Sequence, residues 1–591
     1  MNKRKSWQYV KFLKQPFAVA AGLTAMGAAQ AAPINLGVPD WRLNADTTLR
    51  FNTGIRVEDR KDAIANGPTN SEAEYKFDQG DFVNARLDVL EEIDLSYQGR
   101  YGIRATGAGW YDAIYHDTEV ATRPGTYNSS FDPGTGPIPV SVPYSETSSY
   151  FGNEYSSHTK HFYRGPYGEL LDAFAFGIFS LGDTSLSVKA GKHTLYWGEG
   201  LFFGNQAISY SQAPVDGLKA VTSPGIETKE VFLPVAQLSA NWQLTSNLSL
   251  GFEYFLDWSA NRLPEGGTFL GPADMLYEGP DRFFTGVVIP GAFYGTANDQ
   301  AVFLENRKAD EPGPGGNYGV MMRYGLGEGQ LGVYYRKFDE TTPYNVFEVG
   351  PAPVNAFGLP LQSPEGGVVG GTYRLAYNRD ASLVGLSYSQ TLGGISFAGE
   401  ASYRFDTALN NTGIDPTDHR GPTGDLFNAN LDAILVLPSS MFYTTGQVIA
   451  EIAYTHLARI SDHKELYNGD GGVGCSNKDT GCSTDNYVAA QVNFEPQWPQ
   501  AFSGIDLSAP TSVQYGISGN YAGIGGGNEG SLSYSVGLKA LFYQQHEVTL
   551  SYQDSYSRHL PETADGYYAG GSGAWMYNDR GRIVLTLKTS F

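Results

Sequence analysis

Nine histidines and two cysteines hold most of the reactive chemistry available to this chain of 591 residues. His158-Thr159-Lys160-His161 is the only close histidine pair, and no Glu lies between its members as a zinc-protease helix requires. The chain contains no Gly-x-Ser-x-Gly elbow and no phosphate-binding loop. No catalytic residue, metal or cofactor is therefore expected. Cys475 and Cys482 sit in a Gly/Asn/Asp-rich stretch, 469–485. No further Cys or His stands at ligand spacing, so a disulfide closing a small loop is expected in an oxidising compartment. Asp470, Asn477 and Asp479 offer oxygens to calcium, but their spacing does not fit an EF-hand loop.

More is written in charges placed inside strand-like segments. Glu400 and Arg404 alternate against Phe397, Tyr403 and Phe405, and Glu451 against Val448, Ala450, Ile452 and Tyr454. Arg323, Arg104, Arg50 and Arg56 likewise oppose an apolar set. Successive side chains of a strand point to opposite faces. If the apolar face meets lipid, these charges face a lumen, because a charge in lipid is costly. Two roles fit: ion pairs that stiffen a barrel, or a lining that selects a solute. Glu91 is the exception, since it shares parity with Val89, Ile93 and Leu95; an interfacial position or a bulge would account for it.

The segment between His193 and Pro234 mixes aromatics, paired charges and Pro/Gly turns. It carries Trp197, Glu199, Phe202 and Phe203, then Asp216 and Lys219, then Glu227, Lys229 and Glu230. That mixture suits a loop folded against protein walls, and an inward fold that narrows or plugs a lumen is expected. An external loop packed on its neighbours is the alternative. The expected constriction set is these nine residues together with Arg323, Glu400, Arg404 and Glu451.

The elements that would position them are amphipathic strands. In 238–244 and 248–258, apolar and polar residues alternate around a Thr245-Ser246-Asn247 turn. The same period recurs at 49–57, 87–97, 101–111, 186–190, 318–326, 331–335, 382–388, 395–405, 427–437, 448–454, 487–494, 513–517, 532–542, 548–552 and 583–591, and 174–179, which alternates less cleanly, is expected to be a strand from its position. Gaps between them alternate between short (98–100, 182–183, 245–247, 391–394, 543–546) and long (58–85, 113–168, 193–234, 259–316, 339–381, 457–485). Short periplasmic turns and long external loops are the habit of a transmembrane antiparallel β-barrel. The expected fold is all-β, with about 18 strands, 16–20 being the range, and both termini periplasmic. The last strand ends on Phe591 and resembles the terminal signal read by the machinery that inserts barrels into bacterial outer membranes.

Lys3, Arg4, Lys5, Lys11 and Lys14 precede a short apolar run, 17–23, and the small-x-small site Ala29-Gln30-Ala31. This pattern predicts a signal peptide over 1–31 and a barrel over 32–591, with 32–42 as a lead-in. The composition agrees: 73 Gly, 39 Tyr and only 7 Met. Without the leader's five bases, 35 Lys and Arg face 62 Asp and Glu. Such acidity argues against nucleic acid. The expected surroundings are outer-membrane lipid and lipopolysaccharide, where divalent cations would limit repulsion of acidic loops.

Trp197-Gly198-Glu199, Pro214-Val215-Asp216, the Pro-Gly-x-Glu-x-Lys-Glu of 224–230, Leu233-Pro234-Val235, Gly399-Glu400-Ala401-Ser402-Tyr403-Arg404 and Gly504-Ile505-Asp506-Leu507 carry a resemblance. The chain resembles a family of proteobacterial outer-membrane proteins catalogued as a domain of unknown function. The resemblance implies traffic of hydrophobic molecules across the envelope, near lipid-type exporters of the resistance-nodulation-division class and with a periplasmic partner. It carries over no binding or catalytic residue. The expected function is a passive channel for hydrophobic or amphiphilic molecules, reached by aromatics such as Trp197, Phe202 and Phe203. A general polar-solute porin and a non-conducting structural barrel are the alternatives.

Overall fold

The computed structural model describes residues 34, 36–349, 361–364, 366–411, 420–472 and 475–591. The expected leader, 1–31, lies outside the described residues. Nineteen hydrogen-bonded segments form one antiparallel sheet. Two of them, Ile505–Ser508 and Thr511–Ser518, pair with the same neighbours on either side of Ala509-Pro510. They are one strand interrupted where proline has no N–H to give the ladder. The barrel therefore has 18 strands.

In chain order these are β1 (Trp41–Arg56), β2 (Phe82–Tyr97), β3 (Tyr101–Asp112), β4 (Tyr167–Leu181), β5 (Thr184–His193), β6 (Val235–Gln243), β7 (Leu248–Phe255), β8 (Tyr318–Leu326) and β9 (Gly329–Phe338). There follow β10 (Ala381–Leu392), β11 (Ile395–Ala408), β12 (Thr423–Leu437), β13 (Thr445–Asp462), β14 (Asn486–Phe502), the split β15, β16 (Leu532–Phe542), β17 (His546–Tyr556) and β18 (Arg582–Ser590). Each pairs with its sequence neighbours, and β1 pairs with β18 from Thr48↔Ser590 to Arg56↔Arg582. Thr47 and Phe591 exchange both backbone hydrogen bonds, so the last residue completes the seam. Closure leaves no unpaired sheet edge.

The burial pattern is inside-out relative to a water-soluble sheet. On β12 and β13, Leu431 and Ile452 are exposed on the outer face, whereas their neighbours Asn430 and Glu451 are buried. Val384 and Leu386 repeat this against Ser387 on β10. An apolar exterior around a polar interior is what a lipid-spanning barrel presents. Glu91 does face outward, without a bulge beside it in the β1–β2 register. The hydroxyl of Thr47, directly opposite, donates to its carboxylate at 2.5 Å.

Turns gather at the rim that holds the C-terminus, and long connections gather at the other rim. The long connections have structure of their own. Arg282–Ile289, Gln300–Asn306, Tyr344–Val349 and Val368–Ala376 form a four-stranded sheet, with Gln300–Asn306 parallel to Val368–Ala376. A hairpin, Thr126–Phe131 with Ile138–Pro143, packs on it through Val140, Val142, Phe284 and Phe303. Cys475 and Cys482 are joined by a disulfide in another of these connections.

Two carboxylates tie three external connections together. Glu72, on the short helix Ser71–Lys76, accepts from Ser148 Oγ at 3.0 Å and from Ser149 N and Oγ at 2.6 and 2.5 Å. Asp274 in turn accepts from the backbone N–H of Ser71 and Glu72. Burial pushes the Glu72 carboxyl up to about 7, against the pull of the two serines and of Arg282. A carboxyl raised on folding stabilises the fold at low pH and loses that contribution as pH rises through the folded value. Hydrogen exchange at 148–151, corrected for intrinsic rate, should thus accelerate as pH rises from about 5 through about 7. Glu72→Gln should flatten the profile; an unchanged profile would remove Glu72 as its cause.

Candidate functional site

The connection between β5 and β6, residues 194–234, folds inward and crosses the lumen. Its first arch, 197–208, is gripped by charged side chains of the wall. Glu400 on β11 accepts from Glu199 N at 2.5 Å, Gly200 N at 3.2 Å and Ile208 N at 2.8 Å. Glu451 on β13 accepts from Leu201 N at 3.1 Å and from Phe202 N. Arg404 donates to the Asn205 carbonyl at 2.7 Å and to Tyr521 Oη at 3.0 Å. An arch has no ladder of its own, so its orphan N–H groups need such acceptors. Glycine permits the approach: Gly198 lies at φ +96°, and a Cβ there would stand 2.5 Å from Glu400 Oε2.

Apolar side chains of the arch press outward onto the wall. Trp197 is buried with Ile208, Tyr210, Tyr334 and Phe338, and Phe203 is buried with Leu426, Leu457, Tyr487 and Tyr521. Both are anchors of the arch: their large apolar surfaces gain more from packing than from facing a wet lumen. Phe202 remains partly exposed. Glu199 points toward Arg323 and Ser387. Burial raises its carboxyl, while Arg323 and the Ser387 hydroxyl draw it back.

The second half of the loop reaches the opposite wall. Asp216 caps the helix Gly217–Thr222 by accepting from Lys219 N, and also pairs with Arg262 at 3.0 Å. Lys219 pairs with Glu169 on β4 at 3.1 Å. Beyond the helix, Glu230 makes a two-pronged pair with Arg50 on β1, both bonds 2.8 Å. Glu227 pairs with Lys588 on β18 at 2.5 Å, and Lys229 pairs with Glu227 at 3.0 Å and with Glu92 on β2. The thirteen expected residues thus fall on or around one loop, tied to β11 and β13 at one end and to β1, β2 and β18 at the other.

Sequence reading missed a pair beside the arch. Arg336 on β9 holds Glu253 on β7 at 3.0 Å and donates to the carbonyls of Ile208 and Tyr210. Gln212 donates to the same Glu253 at 2.7 Å and accepts from Trp197 N. The parity argument that found Glu400 would have found Arg336, which lies opposite Val333 and Tyr335.

Above the arch, on the long-loop side, lies a cavity of about 820 Å³. Its apolar wall includes Tyr196, Phe202, Phe232, Leu263 and Ile524. Its polar wall is amide and hydroxyl: Asn205, Asn261, Asn345, Asn410, Ser211 and Thr342. No charged side chain lines it among the described residues.

A family model described as "Protein of unknown function (DUF1302)" matches residues 14–591. No curated protein matches the sequence. Among solved structures, the chain is similar to OccAB1 of Acinetobacter baumannii, at 8% identity and a TM-score of 0.40, covering 96% of this chain and 99% of that one. It is similar to the outer membrane protein OpdK from Pseudomonas aeruginosa, at 9% identity and a TM-score of 0.37, covering 93% and 98%. It is also similar to the outer membrane channel DcaP of Acinetobacter baumannii, at 9% identity and a TM-score of 0.32, covering 93% and 97%.

Proposed function

We propose that this chain, which belongs to the DUF1302 family of proteins of unknown function, is an outer-membrane channel passing small hydrophobic or amphiphilic molecules through a loop-narrowed lumen. One observation carries the reading: the loop 194–234 is bonded to opposite walls of the barrel. A barrel of this strand number otherwise leaves a wide water-filled bore. A loop held at both ends replaces that bore with a narrow path, suited to a selected solute more than to bulk diffusion. The aromatic, uncharged cavity above the arch favours a solute that sheds its water readily. Export through a leader at 1–31 and insertion by the barrel-assembly machinery, with Phe591 as terminal signal, belong to the same reading. So does a setting in outer-membrane lipid and lipopolysaccharide.

Liposomes carrying the purified protein test it. Mono- and disaccharides should enter them no faster than they enter protein-free vesicles, and cells lacking the protein should grow poorly on a lipid-like carbon source. Rapid sugar entry would make the barrel a general porin. No solute entry of any kind, with no conductance in planar bilayers, would make it a structural barrel.

A further inference from the structure

The cavity above the arch differs in kind from the rest of the molecule. The chain carries a formal charge of −22, and the lumen wall around the loop is dense with ion pairs. Yet the described residues lining this space carry no formal charge. Phe202, Phe232 and Ile524 give one apolar surface, against which several carboxamides and hydroxyls stand. Some of these are already committed: Asn261 Nδ2 donates to Thr342 Oγ1 at 3.0 Å, and Asn205 Nδ2 donates to the Gly525 carbonyl at 2.6 Å. Asn345 stands on the same wall, with its Oδ1 closed off from the space.

We infer that this cavity is a binding site for an uncharged amphiphile bearing hydroxyl or amide groups; the inference rests on the channel reading and names its solute class. An ionised head would enter a space whose described lining offers no counter-charge, and burying an unpaired charge is far costlier than burying a hydrogen-bonded hydroxyl. An alkane without polar groups would take water from the carboxamides and hydroxyls of the polar wall and return no hydrogen bond. A molecule with an apolar body against Phe202 and Phe232 and hydroxyl or amide groups toward Asn261 and Ser211 satisfies both walls. The volume is within the range of sites that enclose small molecules. Selection would occur at this site before the solute passes the arch.

Three probes with the same eight-carbon tail separate the alternatives. Octyl β-glucoside, octanoate and octyltrimethylammonium, each below its micellar concentration, are titrated calorimetrically at pH 8 into the full barrel in zwitterionic lipid nanodiscs, with empty nanodiscs subtracted. The glucoside should bind saturably, one per barrel, at least about ten-fold tighter than either ion. Phe202→Asp should weaken the glucoside about ten-fold or more, and Thr342→Asp, whose carboxylate can still accept from the Asn261 that holds Val215 N, should do the same with the loop kept in place. Octanoate binding as tightly as the glucoside, or no saturable glucoside binding, would overturn the inference. Because no transport step is read, a barrel that binds the glucoside but passes nothing would refute the channel and keep the site. A barrel that passes hydrophobic solutes without binding the glucoside would do the reverse.

Discussion

Glu400→Ala and Glu451→Ala, made together, are expected to raise single-channel conductance several-fold and to let sugars through. Five backbone N–H groups of the arch are held by these two carboxylates. A hydrogen bond to a charged group is worth roughly 1.5–3 kcal/mol net, so losing five removes most of what keeps the arch on the wall. The residual hold is Arg404 and Tyr521 on the Asn205 carbonyl, Arg336 on the carbonyls of Ile208 and Tyr210, Gln212 on Trp197 N, and the packing of Trp197 and Phe203. Amide substitutions sharpen the test. Glu451 uses one oxygen, Oε2, for both N–H groups, while its Oε1 is buried without a partner. Glu451→Gln can therefore keep the gripping oxygen and should change conductance little. Glu400 uses both oxygens, Oε2 for Glu199 and Gly200 and Oε1 for Ile208. Glu400→Gln must place an NH2 against an N–H, and should open the lumen partway. Planar-bilayer recordings of the three variants read this order directly; equal effects of the two amide variants would mean that charge, not acceptor geometry, fixes the arch.

The strands were legible because one physical rule acts on every residue of them. Lipid outside and water inside impose a period of two, and all eighteen expected segments are strands of the barrel. Their ends were less legible where the outer face turns polar or small. β1 begins at Trp41, eight residues before the expected start, because Ala45 and Thr47 carry little apolar signal although they share the face of Trp41 and Leu43. The inner loop was legible as a mixture of aromatics and charges unsuited to open water. What each charge holds was not, since Glu400 and the Glu199 N–H it accepts from are 201 positions apart in the chain. Nor does composition say which way an aromatic points, and Trp197 and Phe203 face the wall. The external sheet was illegible because its parallel pair joins segments about seventy residues apart, with no repeat to announce the pairing.

The largest stability effect is expected from Glu74→Gln, at the outer end of the barrel seam. Glu74 is fully buried between two arginines: Arg56, the last residue of β1, at 2.8 Å, and Arg580, just before β18, at 2.7 Å. Arg56 also holds Asp579 at 3.2 Å and the Phe77 carbonyl, and Arg580 donates to the carbonyls of Phe269 and Gly271. The cluster therefore joins both strands of the seam to the helix Ser71–Lys76 and to the connection that precedes β8. Removing one partner of a buried ion pair strands the other in a low-dielectric site, at a cost of about 3–5 kcal/mol. Glu74→Gln strands Arg580 and leaves Arg56 with Asp579 alone, so its urea midpoint, read by loss of the heat-modifiable folded band, should fall by more than that of Asp579→Asn. Asp579 has a spare buried oxygen, Oδ1, and an amide there keeps the acceptor that Lys61 N uses at 2.7 Å. The triple variant Arg56→Met, Glu74→Leu, Arg580→Met separates pairing from packing. A buried triad replaced whole by apolar side chains escapes the penalty of the stranded charge, so it should be more stable than Glu74→Gln despite losing every ion pair. Costs that simply add across the three positions would show that the seam is held by its strands and not by this cluster.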